Sequence, residues 1–186
     1  MNPDVVPTGV AILSGAFTWS LAEYLLHRFL GHDRRTMPNF FSREHTRHHS
    51  EGNYFAPSWK KVLAGLAVTA GLSLAGVFGA DQATTFGYVG GFVVMYASYE
   101  WVHRRAHTHA PATRYGAFMR RHHFHHHYGN PKANHGVTSP LWDKVFGTFE
   151  PAPLIRVPRK LVMPWLVDAN TGDLKPQHAE HYELRS

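Results

Sequence analysis

The chain has 186 residues, of which sixteen are histidine and none is cysteine, and its formal net charge is +6. This length suits one domain, and the lack of cysteine excludes disulfides and thiolate metal ligands, so any metal site must use His and carboxylate. The nineteen Lys and Arg residues all lie within residues 28–61 and 101–186 and form no separate basic domain, which argues against a nucleic-acid-binding protein. The two long stretches without a cation instead predict a membrane topology.

Three apolar stretches follow one another along the chain and predict about three transmembrane helices. Residues 5–26 contain one charged residue, Glu23, while residues 62–80 and 83–99 contain none. A helix of about 20 residues crosses the ~30 Å hydrocarbon core of a bilayer. The start of the chain lacks the basic region of a signal peptide, so we expect it to be the first span. The alternative is three buried helices of a soluble bundle.

Lys and Arg mark the cytoplasmic side of a membrane protein, and this rule orients the predicted spans. It predicts a short N-terminus outside, a tight external turn at Asp81 and Gln82, and every histidine on the cytoplasmic face. Small residues would allow close contact between the second and third helices, although lipid tolerates small residues equally well. These residues are Ala67, Gly71, Ala75, Gly79, Gly87 and Gly91.

The first two histidine clusters follow the first apolar stretch. His27 and His32 are five residues apart and would not share a face of an α-helix, so we expect Gly31 to end the helix and His32 to fold back. The second cluster lies on one face of a predicted helix, for which Ser42 is available as the N-cap. Its members are His45, His48 and His49.

Two more clusters follow the third apolar stretch. His103 and His107 continue its helix at positions i and i+4, and another helix is predicted from about Thr113 to Gly129. On that helix, periodicity leaves two sets of three open: His122, His125 and His126, or His123, His126 and His127. So many imidazoles exceed the needs of one ion and predict two metals, for which neutral imidazole suits Fe, Zn, Cu or Ni.

The order H-x4-H, H-x2-H-H, H-x3-H, H-x2-H-H, with apolar spans between, resembles a known family. It is similar to the fatty acid hydroxylase superfamily, the sterol desaturase and fatty acid 2-hydroxylase-like integral membrane di-iron oxygenases, and closest to the 2-hydroxylase branch. The resemblance covers roughly residues 17–150 and is most specific in HGVTSPLWDKVFGT. It implies ten metal ligands: His27, His32, His45, His48, His49, His103, His107, His123, His126 and His127.

The resemblance also bears on the residues around the last cluster. In the family a tyrosine directly follows that cluster, as Tyr128 does here, so the set with His123 is selected and His122 and His125 become bystanders. The chain departs from the family pattern at His135, where an apolar or aromatic residue is expected. It also lacks the fused cytochrome b5 domain of the eukaryotic 2-hydroxylases, so we expect a separate electron donor, cytochrome b5-like or ferredoxin-like.

The fold and activity that the resemblance implies are specific. We expect an all-α integral membrane protein with about three transmembrane helices and a His-rich cytoplasmic helical cap that carries a di-metal site. The expected activity is O2-dependent hydroxylation of a membrane lipid, in the first place a fatty acyl chain, with two iron ions as cofactor, zinc being possible in isolated protein, and O2 as co-substrate. The alternatives are a carotenoid ring hydroxylase, a sterol C-4 oxidase or desaturase, and a His-rich membrane metal-binding protein without catalysis.

Residues outside the clusters complete the expected site, which has no catalytic residue beyond the metal ligands. Carboxylates close to the clusters are expected to accept hydrogen bonds from ligand imidazoles: Glu23, Glu44, Glu100 and Asp143. Three aromatic residues are candidates for the lipid entrance, although packing against the membrane helices is the favoured interpretation: Trp142, Phe146 and Phe149. Residues 1–150 are expected to form the membrane-embedded domain, and residues 151–186 a proline-containing tail without a long helix on the cytoplasmic membrane surface.

Overall fold

The computed structural model describes residues 5–77 and 81–186, without the side chains of residues 5, 6 and 75–77. The described chain is mostly helical, as expected. Its α-helices are α1 (Val5–Leu25), α2 (Phe40–Glu51), α3 (Ser58–Val77), α4 (Gln82–Thr108), α5 (Arg114–Tyr128) and α6 (Leu141–Val145). A π-helical turn, Leu26–Gly31, directly follows α1, and short 3-10 turns lie at Arg159–Leu161 and Pro176–His178.

The chain divides into two compact units, whose boundaries fall inside α1, between α2 and α3, and inside α4. The helical unit comprises Met1–Ala22 and Ala56–Glu100, as far as these residues are described, and the histidine unit comprises Glu23–Phe55 and Trp101–Ser186. The boundary that we expected at residue 150 therefore falls within the histidine unit. The position of residues 151–186 on a membrane surface stays a prediction.

Close contact between α1 and α4 organises the helical unit. A Cβ atom at Gly91 would run into the carbonyl oxygen of Ile12, and one at Gly87 would lie 3.1 Å from the carbonyl oxygen of Thr8. The Trp19 ring of α1 packs edge-on against Phe92 of α4, with ring centroids 5.3 Å apart. The two glycines of α4 thus admit α1, and not α3 as we expected.

The N-terminal end of helix α3 contacts α4. Lys61 pairs with Glu100, and the Tyr96 hydroxyl donates to the carbonyl of Lys61 over 3.2 Å. A Cβ atom added at Gly71 would meet no described atom within 4 Å, so this part of the predicted small-residue stripe makes no close contact. Gly79, the last residue of that stripe, and the end of the predicted span at residues 62–80 lie outside the described residues.

One helical stretch among residues 5–77 and 81–186 is long and apolar enough to cross a membrane. It runs from Pro7 to Gly31 and so includes most of the first predicted span. Asp81 is the residue before α4, and its carboxylate accepts from the backbone N–H of Thr84 over 2.9 Å, so it caps α4 as an N-terminal residue should. The predicted turn is described only from Asp81 onward.

The C-terminal part of the histidine unit corrects the expectation of an all-α fold. Strand β1 (Ile155–Pro158) pairs in parallel with β2 (Tyr182–Arg185), with Ile155 opposite Tyr182. The sheet packs on α5 and forms an apolar core of Phe124, Ile155, Val157, Met163, Trp165, Leu166 and Tyr182. Strands of four residues at the two ends of a proline-containing segment have no periodic signature long enough to predict them.

Helix caps explain where α2 and α5 begin. Asn39, not Ser42 as we expected, is the N-cap of α2: its side chain accepts from the Ser42 backbone N–H while the Ser42 hydroxyl accepts from the Asn39 backbone N–H. Thr113 caps α5 and Gly129 ends it, as predicted. Both helices are therefore held at the end opposite to their histidines.

Candidate metal centre

The π-helical turn after α1 brings together two histidines that an α-helix would separate. In a π-helix the hydrogen bonds join residues i and i+5, so side chains five positions apart lie on the same side of the turn. The ring centroids of His27 and His32 are 5.4 Å apart. Gly31 is thus the last residue of a wide turn, where we expected a helix end that let His32 fold back.

The first group of histidines, group 1, is assembled from this turn, α2 and α5. The His45 Nε2 atom lies 3.0 Å from that of His27 and 2.8 Å from that of His32. One ring nitrogen of every member lies within 4.8 Å of those of the others, a separation that a single metal ion would bridge. The members are His27, His32, His45, His49 and His126.

The second group, group 2, is assembled from α2, α4 and α5. The Nε2 atoms of His103 and His48 are 3.0 Å apart, and those of His107 and His123 are 2.9 Å apart. Its ring nitrogens also lie within 4.8 Å of one another, and its members are His48, His103, His107, His123 and His127. Helix α2 joins the groups, because His48 and His49 are neighbours in the chain and belong to different groups.

The structure therefore gathers all ten histidines of the expected ligand set into two groups of five. His122 and His125, which the expected ligand set leaves out, belong to neither group. The His122 Nε2–H donates to the buried carboxylate of Asp143 over 3.0 Å, and the His125 Nε2–H donates to Glu150 over 2.9 Å. Binding of metal by the two groups stays a proposal.

Burial keeps the imidazoles of both groups neutral. Loss of water around the charged form, together with nearby histidines, lowers the pKa of His32 to about 4 and that of His49 to about 2. The same causes hold the pKa well below its ordinary value at other histidines of the groups outside α1 and its π-turn, namely His45, His103, His107, His123, His126 and His127. A neutral imidazole offers the lone pair that a metal ion needs.

Hydrogen bonds to the backbone select the nitrogen that keeps this lone pair. Three Nδ1–H groups donate to backbone carbonyl oxygens. That of His27 donates to His135 over 2.5 Å, that of His48 to Tyr54 over 2.6 Å, and that of His126 to Ala133 over 2.7 Å. In each of these rings Nε2 is then the nitrogen that carries the lone pair, and it faces its group.

An uncompensated histidine in group 2 shows that the residues fit a cation. Both ring nitrogens of His127 are buried, and neither has a hydrogen-bond partner within the described residues. An unsatisfied buried polar atom costs about 1–3 kcal/mol. A transition-metal ion between the imidazoles would satisfy such a nitrogen, and an all-imidazole set suits iron or zinc.

The expected carboxylates occupy different places. Glu23 and Asp143 are buried and accept hydrogen bonds from the loop after α5. The Tyr54 hydroxyl donates to Glu44 over 2.5 Å. Glu100 belongs to the helical unit, where it pairs with Lys61. Burial alone would raise the pKa of Asp143, but donors from His122, Thr148 and Gly136 hold it below its ordinary value.

The three expected entrance aromatics lie near α6. The Phe146 ring stacks on Tyr24, with centroids 5.2 Å apart, and on Trp142 at 6.0 Å. Phe149 stacks on His122 at 5.7 Å. Phe146 is 46% exposed, so it is available to a ligand as well as to its neighbours.

Sequence reasoning missed the backbone groups that orient the ligands. The carbonyls of Tyr54, Ala133 and His135 have no residue-type signature, because every residue of the chain carries a backbone carbonyl. The π-turn had one usable signal, the spacing of five between two histidines. Residues with that spacing share a side of a π-turn but lie on different faces of an α-helix.

Comparisons with known proteins agree with the geometry. The profile of the fatty acid hydroxylase family matches residues 12–148. The chain is similar to a dihydroceramide fatty acyl 2-hydroxylase of Arabidopsis thaliana, with 31% identity over 75% of this chain and 60% of the relative. It is also 31% identical to the ceramide very long chain fatty acid hydroxylase of Schizosaccharomyces pombe, over 78% of this chain and 45% of that one.

Two further likenesses are a human protein and a solved structure. Fatty acid 2-hydroxylase of Homo sapiens is 30% identical over 74% of this chain and 38% of its own length. The structure of full-length scs7p, in which only the hydroxylase domain is visible, has a TM-score of 0.56 and 25% identity over 80% of this chain and 62% of that one. The chain thus spans less than two thirds of the length of these relatives.

Proposed function

Because this chain belongs to the fatty acid hydroxylase family, we propose that it is a membrane-bound hydroxylase of fatty acyl chains, similar to the 2-hydroxylases. The observation that carries the proposal is the pair of five-histidine groups within a chain that matches the family over residues 12–148. The relatives named as fatty acyl and fatty acid 2-hydroxylases support the choice of substrate class.

The proposed cofactor is a pair of iron ions, one in each group, with zinc as a substitute in isolated protein. Irons bound there would supply the activation of O2 that an unactivated C–H bond requires. The chain's own residues hold these imidazoles neutral by burial, orient three of them (His27, His48 and His126) through backbone carbonyls, and exclude water. Hydroxylation with O2 also needs two electrons and two protons, for which we propose a separate donor protein, cytochrome b5-like or ferredoxin-like.

We propose that the chain crosses the membrane about three times, with the histidines on the cytoplasmic face and the short N-terminus outside. The candidate span and the family indicate membrane association. Large apolar side chains that face outward support lipid contact in the helical unit, with Leu13 72% and Leu66 60% exposed. The absence of Lys and Arg from residues 1–27 and 62–100 supports the orientation.

The lipid entrance is proposed at Trp142, Phe146 and Phe149. Their support is the exposed ring of Phe146 together with the neighbouring exposed side chains of Leu141 and Val145 on α6. An apolar acyl chain would find contact area on these side chains, beside the Lys144 ammonium, which lies 5.4 Å from the centroid of the Phe149 ring.

The experiment that tests the function compares lipids from cells that express the wild-type protein, His126→Ala and His125→Ala. Wild type and His125→Ala should raise the fraction of hydroxylated fatty acyl chains, and His126→Ala should not, because it lacks one ligand of group 1. His125 is the matched control, since it lies on the same helix and faces Glu150. A changed carotenoid or sterol profile with unchanged acyl chains would move the assignment to those substrates.

A further inference from the structure

Two ligands of group 1 donate hydrogen bonds into the same short loop. The His126 Nδ1–H donates to the carbonyl of Ala133 over 2.7 Å, and the His27 Nδ1–H donates to that of His135 over 2.5 Å. His126 lies on α5 and His27 on the π-turn after α1. One loop therefore sets the tautomer of ligands from two separate elements. We name residues 133–138 the carbonyl loop.

The carbonyl loop has no helix or strand to hold its carbonyls in place. Side chains hold it instead. Asp143 accepts from the backbone N–H groups of His135 and Gly136, each over 2.8 Å. Glu23 accepts from those of Val137 over 2.6 Å and Thr138 over 3.0 Å.

Both carboxylates are buried, and each accepts at least three hydrogen bonds. Asp143 also accepts from His122 over 3.0 Å and from the Thr148 hydroxyl over 2.7 Å, and it is 0% exposed. Glu23 also accepts from the Thr138 hydroxyl over 2.6 Å. A carboxylate with several charge-assisted bonds fixes the backbone that it touches more firmly than a neutral acceptor would.

The described contacts of the loop with the ligands concern group 1. In group 2, the His48 Nδ1–H donates to Tyr54, which belongs to another segment. The Nδ1 atoms of His123 and His127 have no hydrogen-bond partner among residues 5–77 and 81–186. A disturbance of the loop should consequently reach one group before the other.

We propose that Asp143 and Glu23 are positioning residues for group 1, which act through the carbonyl loop and not by contact with a metal. The two carboxylates hold the loop, the loop's carbonyls hold His27 and His126, and these ligands then present Nε2 to the site. This inference rests on the proposed metal centre. It means that the carbonyl loop orients ligands of group 1 and not those of group 2.

The test is titration of Co²⁺ into full-length protein that has been purified in detergent and stripped with a chelator. Wild type should bind two equivalents. Asp143→Asn replaces one acceptor oxygen by an amide donor, which opposes a loop N–H. It should bind one equivalent with wild-type affinity and the second about 10–100-fold more weakly, the usual cost of losing an outer hydrogen-bond partner.

The identity of the weakened position is read from the visible absorption of bound cobalt. The spectrum of Asp143→Asn at one equivalent should match that of His32→Ala, which lacks a ligand of group 1, and differ from that of His107→Ala, which lacks one of group 2. Glu150→Gln is the matched control, because Glu150 also accepts from a histidine of α5 but its side chain does not touch the loop. It should titrate like wild type.

Three results would overturn the positioning role: wild-type affinity for both equivalents in Asp143→Asn, equal weakening of both, or a match to His107→Ala. Wild-type protein that binds fewer than two equivalents would instead overturn the proposed two-metal centre, before any substitution is considered.

Thr138→Val provides a milder variant if Asp143→Asn does not fold, as judged by helical circular dichroism. It removes one hydroxyl donor to Glu23 and keeps both loop carbonyls. It should weaken the same equivalent, by less than Asp143→Asn, and unchanged cobalt affinity in this variant would contradict the proposal.

Discussion

At the scale of single residues, the chemistry of both groups depends on which nitrogen of each imidazole carries the proton. The carbonyl oxygens of Ala133, His135 and Tyr54 accept hydrogen bonds from the Nδ1–H groups of three ligands. The Nε2 lone pairs of those ligands are therefore directed into their groups without any side-chain base. A substitution that leaves every histidine in place can still remove a metal if it moves one of these carbonyls.

The choice between adjacent histidines on α5 gives the first prediction. His123→Gln should lower the metal content by about one ion per chain, because His123 contributes to group 2. His122→Gln should keep both ions, since the glutamine amide can still donate to Asp143. Metal analysis of proteins purified without a His-affinity step measures the difference, and loss of a metal in His122→Gln but not in His123→Gln would mean that the ligand register is wrong.

The sequence supports the choice of ligands better than the choice of their partners. Spacings of three and four on α2, α4 and α5 require shared helical faces, so His45, His48 and His49 had to point to the same side of α2 once that helix was predicted. Their division between the two groups, with His48 apart from the others, did not follow from the spacing. Periodicity left His122 and His123 equivalent, and only the likeness to a family separated them. The partners of Nδ1 depend on how a loop folds against two helices, which no local pattern encodes.

At the scale of elements, the π-turn and the close contact of α1 with α4 were both outside what periodicity predicts. An α-helix would place His27 and His32 on different faces. The π-turn brings them together because its hydrogen bonds span one more residue. For the glycines of α4 the sequence allowed a close contact with another helix but did not identify that helix. The choice between α1 and α3 depends on tertiary packing.

The close contact of α1 with α4 gives the second prediction. Gly91→Ala should destabilise the protein by about 1–3 kcal/mol, because the added methyl group meets the backbone oxygen of Ile12, which cannot rotate away. Gly90→Ala is the control on the same helix, since nothing lies within 4 Å of its Cβ position. Thermal unfolding in detergent should show a lower midpoint for Gly91→Ala alone, and equal midpoints for the two variants would contradict this packing.

At the scale of the whole molecule, the two groups differ in what surrounds them. Phe124 belongs to the apolar core that residues 151–186 complete, and its ring lies 5.1 Å from that of His107 in group 2. The C-terminal segment thus packs against a residue that contacts group 2, whereas the buried carboxylates and the carbonyl loop support group 1. The prediction of a surface tail did not anticipate this core, because its strands are short and far apart in sequence.

The histidines with lowered pKa values also make the stability of the metal-free protein depend on pH, which is the last prediction. The pKa of His32 is lowered to about 4, whereas an unfolded histidine titrates near 6.5. Between these values the unfolded chain binds more protons than the folded chain, so acid favours unfolding. The free energy of unfolding should therefore keep the full contribution of these histidines above about pH 6.5 and fall steadily toward pH 4. Thermal unfolding of chelator-stripped protein would measure this fall.

The control for this pH dependence is the double variant His32→Gln, His49→Gln, which removes two of the histidines with lowered pKa values. Its unfolding midpoint should fall less between pH 6.5 and pH 4 than that of the metal-free wild type. Carboxylates with lowered pKa values, such as Asp143, lose their contribution mainly below this window, so they do not account for the slope. A metal-free wild type that is as stable at pH 5 as at pH 7 would show that the imidazoles are hydrated in solution and not buried as the structure places them.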